Sequence, residues 1–251
     1  MPSDHPAFRA HPTNRLLAAL PDDEFARLHP SLNTIALRRK QPLYQQGERI
    51  RHVYFPNGGV CVVTVPTSSG MAIQAVSVGD EGMVGIEAFF TDEPKASGET
   101  FVQVATTGTD AQRLGLAEFR RILALAGALY RTVGRYAQAT FAVIVQLVAC
   151  NTSHRVEQRC ARCLLNVHDS VRADEFNLTH DDLASLLGVA RPTLTECASK
   201  LQAKGLIRCS RGRIVVLDRP GLETVACECY AINRAHLNRV IHPERPTSSP
   251  R

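Results

Sequence analysis

The chain has 251 residues, 44% hydrophobic and 21% charged, with a net charge of +5. That length fits two modest domains, and so ordinary a composition excludes a disordered, collagen-like or disulfide-scaffold protein. The longest uncharged apolar-rich run, Tyr136 to Cys150, is shorter than the roughly 20 residues that cross a bilayer, so no membrane contact is expected. The opening MPSDHPAFRAHP lacks the apolar core of a secretory signal, which points to a cytoplasmic protein.

Charge is unevenly placed. Residues 1–152 hold 14 Lys and Arg against 13 Asp and Glu, whereas residues 153–251 hold 15 against 11. The positive excess therefore lies in the C-terminal two fifths, where it suits an acidic partner such as nucleic acid.

Ten of the sixteen glycines fall between Gly47 and Gly115, separated by short runs rich in Val, Ile, Phe and Thr. Strands are predicted at Ile35–Arg38, Val53–Phe55, Val60–Val65, Met71–Val78, Phe101–Ala105 and Gln112–Leu116, with a turn at Pro66-Thr67-Ser68-Ser69-Gly70. Short strands with frequent turns predict a sandwich or barrel-like β domain.

From Leu116 the pattern becomes helical. Leu129, Val133, Tyr136, Thr140, Val143, Leu147 and Cys150 step alternately by four and three, which is an a/d seam. Ala137, Phe141, Ile144 and Val148 make a second stripe. One stripe is free to pack on the β domain while the other meets a twin helix; the heptad seam is taken as the dimer contact. A core helix buried on all sides is the competing reading. Asn151-Thr152-Ser153 then marks a hinge, followed by a helix over about His154 to Asp169. Its Arg155, Arg159 and Arg162 read as a solvated or DNA-facing edge.

The most specific segment is LTHDDLASLLGVARPTLTECASKLQAKGL, residues 178–206. Thr179 is an N-cap with Asp182 as its capping-box partner, and Leu183, Leu186 and Leu187 supply an inward face. Gly188 sits where a left-handed residue must end the first helix, with Val189 filling the turn. Pro192 falls in the first turn of the next helix, where its missing donor costs nothing. On that helix Leu194, Cys197, Ala198 and Leu201 face inward. Pro192, Glu196 and Ser199 face outward between Thr195 and Lys200, and such a helix fits the major groove. An ordinary helical hairpin is the bland alternative. Two short β patterns follow, Leu206–Arg208 and Ile214–Leu217, and Arg208, Arg211 and Arg213 around their tip read as a basic wing that suits phosphate.

The order of short helices, glycine-punctuated strands, long helix, hinge and winged helix-turn-helix resembles the cyclic-AMP receptor protein and fumarate-nitrate regulator (Crp/Fnr) family of bacterial transcription regulators. The resemblance covers roughly residues 14–220 and rests on the segment above, the Arg211-Gly212-Arg213 wing and VGDEGMVGIEAFF at residues 78–90. It implies an α+β chain: a cyclic-nucleotide-binding-like β-roll (jelly-roll) sensor over 14–127, a dimerisation helix over 128–152 and a winged helix-turn-helix over 153–220. Over 221–251 the residues themselves predict a last helix from Leu222 to Ala235, with Cys227 and Tyr230 on a packable face, and a disordered tail from His236 to Arg251, Pro- and Ser-rich toward its end. A homodimer on a palindromic DNA operator is implied, with RNA polymerase as a further partner if it is an activator.

In the family Arg, Glu and Arg read the bases; the matching positions here are Arg191, Pro192 and Glu196, so only Arg191 agrees. Arg191 can still take guanine and Glu196 can accept from cytosine. Thr179, Thr193, Thr195, Ser199 and Lys200, with Arg208, Arg211 and Arg213, complete the expected DNA surface.

Cyclic-nucleotide binders of the family carry a Gly-Glu pair for ribose and a later arginine for the cyclic phosphate. In Gly85-Ile86-Glu87 the glutamate comes one place late, and residues 96–102 hold no arginine, so a phosphate would meet Glu99. Gly85, Ile86, Glu87, Glu99 and Thr100 mark the expected effector pocket; its ligand is unknown, and cyclic AMP is not expected. Iron-sulfur sensing of the family's N-terminal cysteine type is excluded, because no cysteine precedes Cys61. The eight cysteines read as packed thiols; Cys160 and Cys163 share one predicted helix, and Cys227-Glu228-Cys229 finds no second chelating pair, so no metal is expected. The scattered histidines, His52 among them, single out no haem ligand.

Two other readings compete with a DNA-binding regulator: a redox- or metal-responsive regulator acting through its cysteines, and a signalling module acting through protein contacts. An enzyme is not expected, since the chain has no phosphate-binding P-loop, no His-Glu-x-x-His and no nucleophile elbow.

Overall fold

A computed structural model describes residues 12–68 and 72–241. Helices α1 (Arg15–Ala18) and α2 (Asp22–Leu28) lead into seven strands: β1 (Asn33–Ala36), β2 (Pro42–Tyr44), β3 (His52–Pro56), β4 (Val60–Pro66), β5 (Ala72–Val78), β6 (Glu99–Val104) and β7 (Asp110–Gly115). They form two antiparallel sheets, ordered β1-β7-β3 and β2-β6-β4-β5, which make the roll. The first predicted strand lies two residues early, because Lys40 takes a left-handed conformation (φ 64°) and Gln41 N–H closes a turn on the Arg38 carbonyl at 2.9 Å. β2 was not foreseen; it is three residues long, starts with proline and lies at a sheet edge, where a missing donor is tolerated.

Period-two alternation gives β4 two buried faces. Cys61 turns into the roll with Val53, Phe55, Val102 and Leu114, while Val60 and Val62 turn outward into a second core built from the C-terminal half. The four-stranded sheet of the roll is thus one wall of the C-terminal half's core.

Helix α3 (Leu116–Leu123) precedes the long α4 (Ala128–Ser153). Gly127 has no side chain to cap α4, and the Glu24 carboxylate from α2 does so instead: both oxygens lie 2.7 Å from Ala128 N–H, and one lies 3.2 Å from Leu129 N–H. A carboxylate at that end satisfies orphan donors and complements the helix dipole.

The heptad stripe of α4 is the more deeply buried one, and the second stripe is exposed except at Ala137, which is buried. Leu129, Val133, Tyr136 and Cys150 are 2, 0, 2 and 0% exposed within one chain, and Thr140, Val143 and Leu147 are half-buried. Leu129, Val133, Tyr136 and Cys150 therefore pack within their own chain and are not free to make the dimer contact expected of them, whereas Thr140, Val143 and Leu147 keep part of their surface in solvent. The face left in solvent carries Phe141 (69% exposed), Ile144 (37%), Val145 (53%) and Val148 (64%). By length and mean hydropathy α4 is also able to cross a membrane, with a best window of 1.3.

The second half comprises α5 (Val156–Val171), β8 (Glu175–Asn177), α6 (His180–Leu187), α7 (Arg191–Ala203), β9 (Ile207–Ser210), β10 (Arg213–Val216), α8 (Arg219–Val225) and α9 (Cys229–Ile241). The small sheet runs β8-β10-β9. Arg159 and Arg162 are 8 and 7% exposed, and Arg159 donates to the Leu187 carbonyl, so only Arg155 of that expected solvated trio lies outside.

The chain end departs most from expectation. The last predicted helix breaks at Ala226, whose ψ of 151° is extended, and α9 then runs on to Ile241 through residues expected to be disordered. It packs back along α4 and reaches the roll, where Val240 is 2% exposed and Arg15 donates to Asn238 Oδ1 at 2.8 Å. The remainder of the expected tail, 242–251, lies outside the described residues.

Candidate nucleic-acid interface

The capping box forms as its residues require. Thr179 Oγ1 accepts from Asp182 N–H at 3.1 Å, and an Asp182 carboxylate oxygen accepts from Thr179 N–H at 2.9 Å. Gly188 ends α6 at φ 63°, and Pro192 sits in the first turn of α7. Leu183, Leu187, Leu194, Cys197, Ala198 and Leu201 are all buried. Because the Thr179 hydroxyl is engaged in its cap, it serves the helix before any ligand. Thr179→Ala should lower stability by about 1 kcal/mol, which a thermal melt would read as a fall of about 2–4 °C.

The outer face of α7 presents Arg191, Pro192, Thr193, Thr195, Glu196, Ser199 and Lys200, all exposed. Thr195 and Ser199 donate to carbonyls one turn back, at 3.0 and 2.9 Å, leaving their lone pairs outward. Arg191 lies 3.2 Å from Asp181, Lys200 2.7 Å from Glu196, and Arg213 3.0 Å from Glu175. Lys200 hydrogen-bonds Glu196 and holds its carboxyl below the usual range. Exposed pairs of this kind are worth about 0–1 kcal/mol, so an arriving phosphate or base can exchange for them. Arg208 and Arg211 carry no ion pair among the described residues.

β9 and β10 pair Ser210 with Arg213, so the tip is the two-residue turn Arg211-Gly212, with φ of 46° and 79°. Two left-handed residues match the twist of a hairpin, and the arginine held at the tip is exposed. Gly212 accepts from Leu178 N–H at 3.0 Å, which fixes the wing beside the start of α6. The structure thus gathers Arg191, Thr193, Thr195, Glu196, Ser199, Lys200, Arg208, Arg211 and Arg213 on exposed parts of one small domain.

That domain docks on the roll. Ser185 donates to the Ala72 carbonyl at 2.6 Å, and Arg39 pairs with Asp182 and Arg172 with Asp80. Burial raises the Asp80 carboxyl, against the opposing pull of Arg172 and Arg15. Between β4, β5, α4, α5 and α9 lies a cleft of about 620 Å³, with Val62, Val143 and Leu147 as apolar wall and Asp80, Arg162 and Arg172 as charged wall.

None of the five expected effector residues lines that cleft. Gly85 (φ 89°) opens a short turn over Ile86–Phe89, and Glu87 accepts from Ser97 N–H at 3.0 Å. Thr100 is 3% exposed on β6, one residue beyond Glu99. Glu87 therefore ties this turn to the loop that leads into β6.

All eight cysteines are free thiols. Burial pushes the Cys61 thiol up to about 12 and raises Cys163, which suits packing and not nucleophilic chemistry. A different group escaped the sequence reading. Cys150, His154, Cys227 and Cys229 converge so that their ligand atoms all lie within 4.8 Å of one another. The missing chelating pair is Cys150-x-x-x-His154, a cysteine and a histidine four residues apart, a spacing that no pair of cysteines in the sequence signals.

Fold and surface define a winged helix-turn-helix protein whose reading domain is docked on a β-roll. Residues 158–225 match the family model of the Crp-like helix-turn-helix domain. Transcriptional regulator SdrP of Thermus thermophilus is 34% identical over 80 residues, a stretch that is 30% of this chain and 40% of that protein. FixK2 of Bradyrhizobium japonicum superimposes with a TM-score of 0.64 at 14% identity, covering 78% of this chain and 98% of the other. A CRP-family transcriptional regulator of Thermus thermophilus gives 0.60 at 21%, covering 77% and 96%. The C-terminal segment is thus similar to Crp-like helix-turn-helix domains, and the two solved structures share the fold of the longer chain.

Proposed function

We propose that the protein is a sequence-specific DNA-binding transcription regulator that acts as a homodimer in the cytoplasm. The observation that carries this reading is the outer face of α7, exposed along its length beside the Arg211 wing tip. A second copy is the occupant proposed for the Phe141, Ile144, Val145 and Val148 face, since a long helix in water rarely leaves so contiguous an apolar stripe bare. Arg131, Gln138 and Asn151, exposed on the same helix, argue against hydrocarbon around it. Two copies would place two α7 helices on a palindromic site, about one DNA turn apart. RNA polymerase joins as a partner if the regulator activates.

The roll is proposed to sense something other than cyclic AMP. Its candidate phosphate loop has no arginine and is tied to Glu87, so an anion would meet a carboxylate. The cleft between roll and reader is the better place for an effector, because a ligand there touches β4, β5, α4 and α5 together and can bias their docking.

Selection of bound sequences from a random DNA pool, followed by a salt titration of the best site, tests the reading. If Lys200, Arg208 and Arg211 of each protomer meet phosphates, log K should fall with log salt with a slope of about −5. No enriched sequence, together with stable capture of a protein partner, would favour a signalling module instead.

A further inference from the structure

We propose that Cys150, Cys227 and Cys229, with Nδ1 of His154, form a tetrahedral site for a zinc-type divalent cation that fastens α9 to the end of α4. The four residues come from two short pairs, Cys-x-x-x-His where α4 ends and Cys-x-Cys where α9 begins, neither of which holds a metal alone. Folding brings the pairs together across 77 residues of sequence.

The spacing fits. Ligands 2.0–2.3 Å from a tetrahedral zinc ion stand about 3.3–3.8 Å from one another. The Cys150 and Cys227 sulfurs are 3.6 Å apart, as are the Cys229 sulfur and His154 Nδ1. The three cysteines are 0, 3 and 0% exposed and form a small core of their own. Thiolates with an imidazole select a borderline-soft cation, and calcium or magnesium would find no oxygen ligand in the set.

The surroundings argue for a ligand set over packed thiols. His154 Nε2 lies 3.0 Å from a Glu228 carboxylate oxygen. With Nε2–H donated to that carboxylate, the Nδ1 lone pair is left facing the sulfurs, which is the carboxylate-histidine-metal arrangement. Glu228 stands between the two cysteines, so one turn delivers both sulfurs and the group that orients the imidazole. Gln146 donates its amide to the Cys229 sulfur at 3.0 Å. Simple packing explains buried thiols but not an imidazole turned onto them by a carboxylate.

On binding, the cation displaces three thiol protons to solvent, and the site carries one net negative charge. The buried guanidinium of Arg162, close enough to act on both Cys150 and Cys227, offsets that charge. The location gives the site its consequence. Cys150 and His154 end the sensor's long helix where the hinge begins, and Cys227 follows the last helix of the reading domain. A bound ion would join hinge and strap.

The test uses the full chain without a polyhistidine tag, reduced, loaded with zinc and desalted. One zinc per chain is expected by elemental mass spectrometry, with loss of at least nine tenths of it in Cys227→Ser/Cys229→Ser and a clear loss in His154→Ala. Cys160→Ser/Cys163→Ser should keep it. Cobalt in place of zinc should give the intense visible bands of a tetrahedral thiolate-rich site. Should the serine variant not fold, the unaltered protein still decides the matter: zinc at a hundredfold excess over Kd should raise its melting midpoint by about 5–10 °C, reversed by chelator. The proposal is overturned by metal retained equally in the serine variant, by no metal and no cobalt spectrum, by iron with acid-labile sulfide, or by Cys150 and Cys227 recovered from cells as a disulfide.

Discussion

Phe141→Asp combined with Val148→Asp is expected to yield a folded monomer whose apparent affinity for an operator falls by about 10²–10⁴-fold. Both side chains are more than 60% exposed within one chain, so a carboxylate at either position meets water and the protomer keeps its core. In a twin-helix interface the same two substitutions would bring four carboxylates into an apolar contact, where unpaired charge is not tolerated. The loss of affinity then follows from geometry. A dimer binds its second half-site at a high effective concentration, and a monomer forfeits that gain without losing any DNA contact. Light scattering with size exclusion would show the change of mass, circular dichroism the retained helix content, and gel shift the affinity. A variant that stays dimeric and binds normally would move the interface away from this face. Leu129→Asp is the informative contrast: that seam residue is 2% exposed in its own chain, so the variant should unfold the roll before it separates any dimer.

Arg191→Ala with Arg211→Asn should lower operator affinity at least a hundredfold, and the two halves of the pair should act differently. Arg191 stands at the start of α7, where a guanidinium can take two acceptors of guanine. Losing such a contact costs about 1–3 kcal/mol per half-site and relaxes preference at that base. Arg211, on the wing, is assigned to phosphate, so its loss should weaken all sequences evenly and make the salt slope shallower by about 2 for a dimer. Asparagine is the proper replacement there. The residue holds a φ of 46°, which Asn tolerates, so the turn survives while the charge is removed. Alanine would add backbone strain and mix a folding effect with a binding effect. Competition gel shifts at several salt concentrations separate the outcomes; undiminished binding by the double variant would remove this surface from consideration.

The helix-turn-helix was legible because each of its local requirements names a residue. A left-handed helix end asks for Gly188, a capping box for Thr179 and Asp182, and a first turn accepts Pro192. The strands were legible through glycine punctuation, apart from β2 and β8, which are three residues each and too short to show alternation. The orientation of α4 was not legible. Both stripes are apolar, and periodicity says which residues share a face but not which face meets the chain's own core. Nor was the burial of Arg159, whose guanidinium is accommodated by a carbonyl 28 residues away. The cysteine-histidine group failed for the same reason: half of it is a helical pair and half a loop pair, and only tertiary structure makes them one.

The path of α9 bears on how the two halves can move. With Val240 buried in the roll, the polypeptide crosses between sensor and reader twice, once outward at His154–Arg155 and once homeward at Ala226–Glu228. The crossings lie side by side, His154 touching Glu228 at 3.0 Å. A body tethered at two adjacent points can swing about the line through them but resists twisting or sliding away. Release of the Ser185, Arg39 and Arg172 contacts, together with the Val60 and Val62 packing, should therefore let the C-terminal half pivot as a unit along essentially one arc.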